Sequence, residues 1–188
     1  MAGLSPTSPR TVAGLSLIAC LVVLAILAAR SAPAAPPAEA SALTATVAYA
    51  VDGDTLRIRE ADGDLAYVRL IGIDSPESVK PDTPPECGSG AASRSMDQLA
   101  PEGAKVRLVF DGEREDGYGR TLAHAYVGGR QLELAQLRRG WAEVYRYHGR
   151  TFRGLARYYA LQDQAEAAGR GVWGRCGGDF HSYESRRR

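Results

Sequence analysis

A small closed β-barrel of five strands with about three helices is the fold class predicted for residues 44 to 175 of this 188-residue chain. Three observations predict it. Three strand-like stretches follow one another within about thirty residues, punctuated by Asp-Gly turns. A short helix-forming stretch and two further strand-like stretches come next, and helical patterning fills the chain behind the last of them. Five strands with a helix after the third are the element order of an OB-fold barrel, although a fold alone sets no function.

Each element has its own local reason. "TATVAYAV" (Thr44 to Val51) is rich in β-branched residues and stops at Asp52-Gly53. "TLRIRE" alternates Leu56 and Ile58 with Arg57 and Arg59, the period of a strand with one buried face. Asp62-Gly63 supplies a hairpin turn, and "LAYVRLIGI" (Leu65 to Ile73) is the returning strand. Ser78 to Gly90 is a Pro/Gly-rich loop, followed by a helix over Ala91 to Leu99. "KVRLVF" and "RTLAHAYV" are strands four and five, separated by the acidic turn "DGEREDGYG". "QLELAQLRRG" has a helical apolar face and Gly140 placed to end it. Residues 151 to 169 form a last helix with Phe152, Leu155, Tyr159 and Leu161 as apolar contacts and Gly169 as its stop.

The first forty residues are of another kind. Thr11 to Ala29 carries no charge, follows Arg10, and leads into the Pro/Ala run "RSAPAAPPAEASA". Residues 1 to 34 are therefore expected to be an export signal, with Ala32-Pro33-Ala34 as a cleavage site, or a retained membrane anchor. Residues 35 to 43 would be a flexible linker, 44 to 175 the folded domain, and 176 to 188 a loose basic tail. "LIAC" resembles a lipoprotein box, but the apolar run continues well past Cys20. The product is expected outside the cytoplasm, secreted or anchored, as a monomer whose membrane contact is the N-terminal segment alone. An even pair of cysteines then remains in an oxidising compartment, which predicts a Cys87–Cys176 disulfide.

Charge excludes some classes. The net charge of +1 gives no overall pull toward nucleic acid or membrane, so anion binding must be local. No C-x-x-C occurs and His124, His148 and His181 are scattered, which argues against a zinc site and reads them as structural or exposed. "CGSGAAS" has no preceding strand or following lysine and is no phosphate loop. Arg138, Arg139, Arg146, Arg150, Arg153 and Arg157 crowd one region; a solvated helix face and a wall that attracts a polyanion weigh equally there.

Three short stretches concentrate acids and arginines: "VDGDT" with Asp52 and Asp54, "RLIGIDSPE" with Arg69, Asp74 and Glu77, and "DGYGR" with Asp116, Tyr118 and Arg120. Arg69 shares strand parity with Ile71 and Ile73, which puts a guanidinium on a face with apolar neighbours. It needs an anionic partner there. Two aspartates joined through a hairpin suit a hard dication held by oxygen, and Mg²⁺ or Mn²⁺ suit the pair as Ca²⁺ does. A glutamate beyond them can activate a water, and two arginine forks can hold a phosphate whose charge grows during attack.

These three stretches, in this order and with this strand pattern between them, resemble the staphylococcal nuclease family over roughly Thr44 to Gly174. The resemblance implies an OB-fold, Ca²⁺-dependent endonuclease. It would hydrolyse DNA and RNA by water attack, favouring single-stranded or locally melted substrate, and leave 3′-phosphates. It also implies roles: Asp54 and Asp74 as Ca²⁺ ligands with the Ser75 carbonyl, Asp52 as their support, and Glu77 as general base. Arg69 and Arg120 would clamp the scissile phosphate, Tyr118 would contact a terminal phosphate, and Tyr145 or Tyr147 would stack on a base. The family often has Thr where Ser75 stands, and its stacking tyrosines are one position out of ungapped register with Tyr145 and Tyr147. The rival expectation is a catalytically silent OB-fold module that only binds nucleic acid; an exported Ca²⁺-stabilised structural domain is a third.

Overall fold

The computed structural model describes residues 42–78 and 83–182. The expected N-terminal apolar segment, loop residues 79–82 and Arg186 to Arg188 lie outside the described residues. β1 (Ala42–Ala50), β2 (Thr55–Arg59) and β3 (Leu65–Leu70) form the expected antiparallel meander. β1 begins two residues inside the stretch read as linker. The β2–β3 hairpin closes with Gly63 at φ 98°, the left-handed conformation its Asp-Gly turn requires.

After β3 come β4 (Ile73–Asp74), α1 (Ser89–Leu99), β5 (Lys105–Val109), β6 (Thr121–Val127) and β7 (Arg130–Gln131). Next are α2 (Leu132–Arg139), β8 (Glu143–Val144), a single 3-10 turn at Tyr147–Gly149, α3 (Leu155–Ala167) and α4 (Val172–Arg175). The main sheet runs β3-β2-β1-β5-β6-β7, and a parallel pairing of β3 with β6 closes its first five strands into a barrel. A bulge between Val47 and Tyr49 bends β1, as closing so small a barrel requires. Val47, Leu56, Ile58, Val68, Leu70, Val106, Leu108, Ala123 and Ala125 fill its interior. β4 and β8 form a separate two-stranded ladder that sets Asp74 opposite Glu143.

Arg69 departs from its expected parity. The inward residues of β3 are Val68 and Leu70, while Arg69 alternates with exposed Leu65 and Tyr67 on the outer face. Its burial comes from the loops folded over that end of the strand.

The helices differ from expectation in their faces. α2 ends on left-handed Gly140 as predicted (φ 73°), but all of Leu132 to Leu137 is buried, Glu133 and Gln136 included. In α3 the buried stripe is Tyr158, Leu161 and Ala165, and Tyr159 is 40% exposed. Leu161 is buried as expected, while Tyr158 stands where Tyr159 was expected; its hydroxyl, 3.1 Å from His124 Nδ1, takes a hydrogen bond from Gln131 (2.8 Å).

The tail is not loose up to Ser182. Cys87 and Cys176 form the expected disulfide. Phe180 is 2% exposed and packs edge-to-face with Trp173, their ring centroids 5.0 Å apart. Cys87, Val172, Cys176 and Phe180 make a small second core beside the barrel, with Trp141 and Trp173 against it.

Candidate active site

Register explains why distant residues meet. In the β2–β3 ladder Thr55 lies opposite Arg69, and the parallel β3–β6 pairing sets Arg69 opposite Leu122. The turn before β2 (Asp52 to Asp54), the end of β3 and the residue entering β6 (Arg120) therefore gather at one end of the seam that closes the barrel. A cavity of about 270 Å³ there is lined by Asp52, Asp54, Arg69, Asp74, Ser75, Glu77, Glu86, Arg120 and His181.

The Asp52–Asp54 turn is held from both sides. Asp52 Oδ1 accepts the N–H groups of Asp54 (2.9 Å) and Thr55 (2.7 Å). Gln136, buried in α2, donates to the Gly53 carbonyl (2.9 Å) and to that of Ala92 (3.1 Å). Gly53 is required by proximity: a Cβ there would lie 2.7 Å from the Ser75 Cβ and 2.8 Å from that of Ala92.

Arg69 meets its anions. Its Nη1 lies 3.1 Å from Asp54 Oδ1 and donates to the Ile73 carbonyl (2.7 Å), and its Nη2 reaches Asp74 Oδ1 at 2.7 Å. The other Asp54 oxygen accepts both the N–H (2.7 Å) and the hydroxyl (2.9 Å) of Ser75. Ser75 thus orients Asp54 through its donors, whereas its carbonyl was the expected contribution.

Three carboxylates around one guanidinium leave an excess of negative charge. Burial, with Asp54 adding to it, pushes the Asp52 carboxyl up to about 8. Asp74 rises to about 6, by burial first, although Arg69 opposes it. Burial works against the charge on Arg69, but Asp54, Asp74 and Asp52 outweigh it and raise its pKa further.

Arg120 is held by a loop of its own. Its Nε donates to Asp116 Oδ2 at 2.7 Å, while Asp116 Oδ1 accepts the N–H groups of Tyr118 (2.9 Å) and Arg120 (3.0 Å). Burial would raise the Asp116 carboxyl, yet these bonds hold it below the usual carboxylate range. A larger cavity of about 440 Å³ adjoins, sharing Arg69, Asp74 and Arg120 and walled by Tyr118, Tyr145 and Tyr147. Tyr118 is 87% exposed at its mouth. Arg150 also lines this cavity, paired with Glu113, while Arg139 turns inward to the Ser95 carbonyl (3.2 Å) and is no part of a basic wall.

Residues 67–175 match the family model described as "Staphylococcal nuclease homologue". The chain is 33% identical over 135 residues to the thermonuclease of Staphylococcus hyicus, covering 71% of this chain and 78% of that relative. It is 39% identical over 99 residues to the thermonuclease of Staphylococcus intermedius (52% and 57% of the two chains). Against the SPbeta prophage-derived endonuclease YokF of Bacillus subtilis the figures are 32% over 133 residues, 70% and 44%. The chain belongs to the staphylococcal nuclease family. The family segment holds Arg69, Asp74, Glu77 and Arg120; it begins after Asp54 and ends before His181.

For a staphylococcal nuclease family member a divalent ion is implied, and the donor set fits one in chemistry. The carboxylates are hard oxygen donors carrying more negative charge than Arg69 balances, the imbalance a dication relieves. Asp54 already accepts hydrogen bonds from the Thr55 hydroxyl and from the N–H and hydroxyl of Ser75 and faces Arg69, so an ion at that carboxylate would compete with these partners. Among the described residues no group of three or more His, Cys, Asp or Glu side chains is already arranged to hold a metal ion.

Four residues of this end of the barrel had no assigned role in the sequence. Asp116 positions Arg120, and Gln136 holds the Asp52–Asp54 turn. Glu86 Oε2 accepts the Glu77 N–H at 2.7 Å. His181, read as structural or exposed, has its Nδ1 3.4 Å from Glu86 Oε2, and its Nε2 3.5 Å from Glu143 Oε1 and 3.8 Å from Asp74 Oδ2. A lone histidine beyond a cysteine gives no sequence signal of this, because the contacts depend on where the disulfide puts the chain.

Proposed function

We propose that this chain is a divalent-metal-dependent endonuclease that hydrolyses phosphodiester bonds of DNA and RNA by attack of water. The observation that carries this reading is the convergence of Arg69, Glu77 and Arg120 with Asp54 and Asp74 on one cavity at the barrel seam. Asp54 and Asp74, with the Ser75 carbonyl, would hold the ion, and Asp52 would support them. We take the ion to be Ca²⁺, which when bound would supply positive charge against the phosphate oxygen on which charge accumulates. Glu77 accepts the proton of the attacking water or orients it. Arg69, already bridging Asp54 and Asp74, and Arg120, locked by Asp116, hold the phosphate in line and stabilise the charge of the transition state. Tyr118, Tyr145 and Tyr147 line the neighbouring cavity, where Tyr118 contacts a terminal phosphate and Tyr145 or Tyr147 stacks on a base. Stacking faces of this kind favour single-stranded or locally melted substrate.

Within this reading the 5′ P–O bond breaks, a 3′-phosphate remains, and one chain completes the site. The apolar N-terminal segment carries the enzyme out of the cytoplasm, secreted or anchored. The test is cleavage of end-labelled single-stranded DNA and RNA by protein purified without reductant, in Ca²⁺, Mg²⁺ or chelator. Ca²⁺-dependent cutting into 3′-phosphate fragments is expected. Intact oligonucleotide that the folded protein still binds in every metal would make it a binding module instead.

A further inference from the structure

We infer that His181 is a positioning residue that acts through Glu86 to hold Glu77, and that the disulfide-stapled end of the chain exists in this fold to deliver it. The inference rests on the nuclease reading for the role of Glu77, but its geometry stands independently.

Glu77 is clamped by Glu86 in both directions. The Glu86 carboxylate accepts the Glu77 N–H (2.7 Å), and the Glu86 N–H donates to the Glu77 carbonyl (2.9 Å). Glu86 thus ties the Glu77 backbone at two points. The Glu86 side chain is 10% exposed, and the same Oε2 that takes the Glu77 N–H faces His181 Nδ1. The other face of that imidazole looks at Glu143 and Asp74 from β8 and β4. His181 thus stands between Glu86, Glu143 and Asp74, of which Glu86 also accepts the Glu77 N–H and Asp74 also meets Arg69.

Its delivery is built rather than incidental. Cys87, next to Glu86, is bonded to Cys176, and the Cys87 N–H also donates to the Ser182 carbonyl (2.6 Å). Between these two ties Phe180 is buried against Trp173. Asp179 Oδ1 accepts the His181 N–H (3.1 Å) and turns the chain toward the cavity. Residue 181 is fixed on both sides, by a buried aromatic before it and a backbone bond after it. This strap follows residue 175, where the match to the family model ends.

The experiment compares the wild type with His181→Ala, His181→Gln and the Cys87→Ser/Cys176→Ser double variant, in metal-free protein and in the cleavage assay. Hydrogen exchange of the peptide spanning Asp74 to Ser78 is the first readout, since it reports the Glu77 N–H whether or not the protein cuts. Exchange there is expected to rise at least about tenfold in His181→Ala. The β5 and β6 amides should stay unchanged, and Gln, which keeps an N–H donor, should restore part of the protection. In the assay kcat is expected to fall by roughly 10- to 100-fold with KM little changed, the loss that displacing a catalytic group by an ångström brings. The double variant should show the same pattern in exchange and kcat. Unchanged exchange at Asp74 to Ser78 in His181→Ala overturns the inference, as does wild-type kcat in that variant. A wild type that cuts nothing while His181→Ala still loosens Glu77 would overturn the nuclease reading and leave the positioning role standing.

Discussion

Arg69 balances several acids at once, and its removal leaves Asp54, Asp74 and Asp52 facing one another. Arg69→Ala is expected to destabilise the metal-free protein by about 3–5 kcal/mol, the cost of a buried charge stripped of its partner. Urea unfolding measures that loss, and Ca²⁺ should raise the melting temperature of the variant more than that of the wild type. A variant as stable as the wild type without metal would mean that the guanidinium does not balance the acids. The acids and arginines of this site were legible from sequence because each sits in a short motif whose spacing survives folding. Glu86 and His181 were not, since their contact spans 95 residues and exists only through the disulfide and the burial of Phe180. The parity reading of Arg69 failed for a physical reason. Residues 71 to 73 have left β3 for a turn and β4, so alternation cannot be counted across them.

Among the elements, the turn before β2 and helix α2 act as one unit. Gly53→Ala drives a methyl group into Ser75 and Ala92, and a loss of about 1–3 kcal/mol is expected. Cleavage should fall further than stability explains, since the same movement displaces Asp54. Denaturant midpoints and kcat measured on one preparation would separate the two effects.

A buried pair ties β6 to α2. His124 Nδ1 lies 3.1 Å from Glu133 Oε1, and Asp111 Oδ2 lies 3.6 Å from Nε2. Burial disfavours a charged imidazole, but Glu133 and Asp111 outweigh it and raise the His124 pKa above the ordinary 6.5. Burial likewise pushes the Glu133 carboxyl up, against the pull of its bonds to His124 and the Ala125 N–H. The folded value lies above the unfolded one, so this stabilisation is complete below pH 6.5 and is lost as pH rises through the folded value. Urea midpoints from pH 5 to 9 should show a decline of at most about 1.4 kcal/mol per pH unit from this one proton. His124→Asn should remove that component of the decline. The strand and helix that carry the pair were legible from alternation and helical patterning, but nothing in either marks two polar residues as mutual partners inside a core.

For the whole molecule, the disulfide staples the strap to the loop before α1. It closes a loop of 89 residues, worth up to roughly 4–5 kcal/mol on the chain-entropy view. Reduction should therefore lower the melting temperature by several degrees or more, read by circular dichroism with and without dithiothreitol. The barrel was predictable as a whole because strand alternation and Asp-Gly turns are local signals. The second core was not, since Cys87, Val172, Cys176 and Phe180 are scattered apolar residues with no period.

The most direct measurement is the single-turnover cleavage rate of Glu77→Gln in saturating Ca²⁺, with oligonucleotide binding measured on the same samples. Glu77 as the group that activates water predicts a rate lower by about 10²- to 10⁴-fold, with binding kept near the wild-type value. A variant that cuts at the wild-type rate would contradict that role and move the chemistry away from the barrel seam.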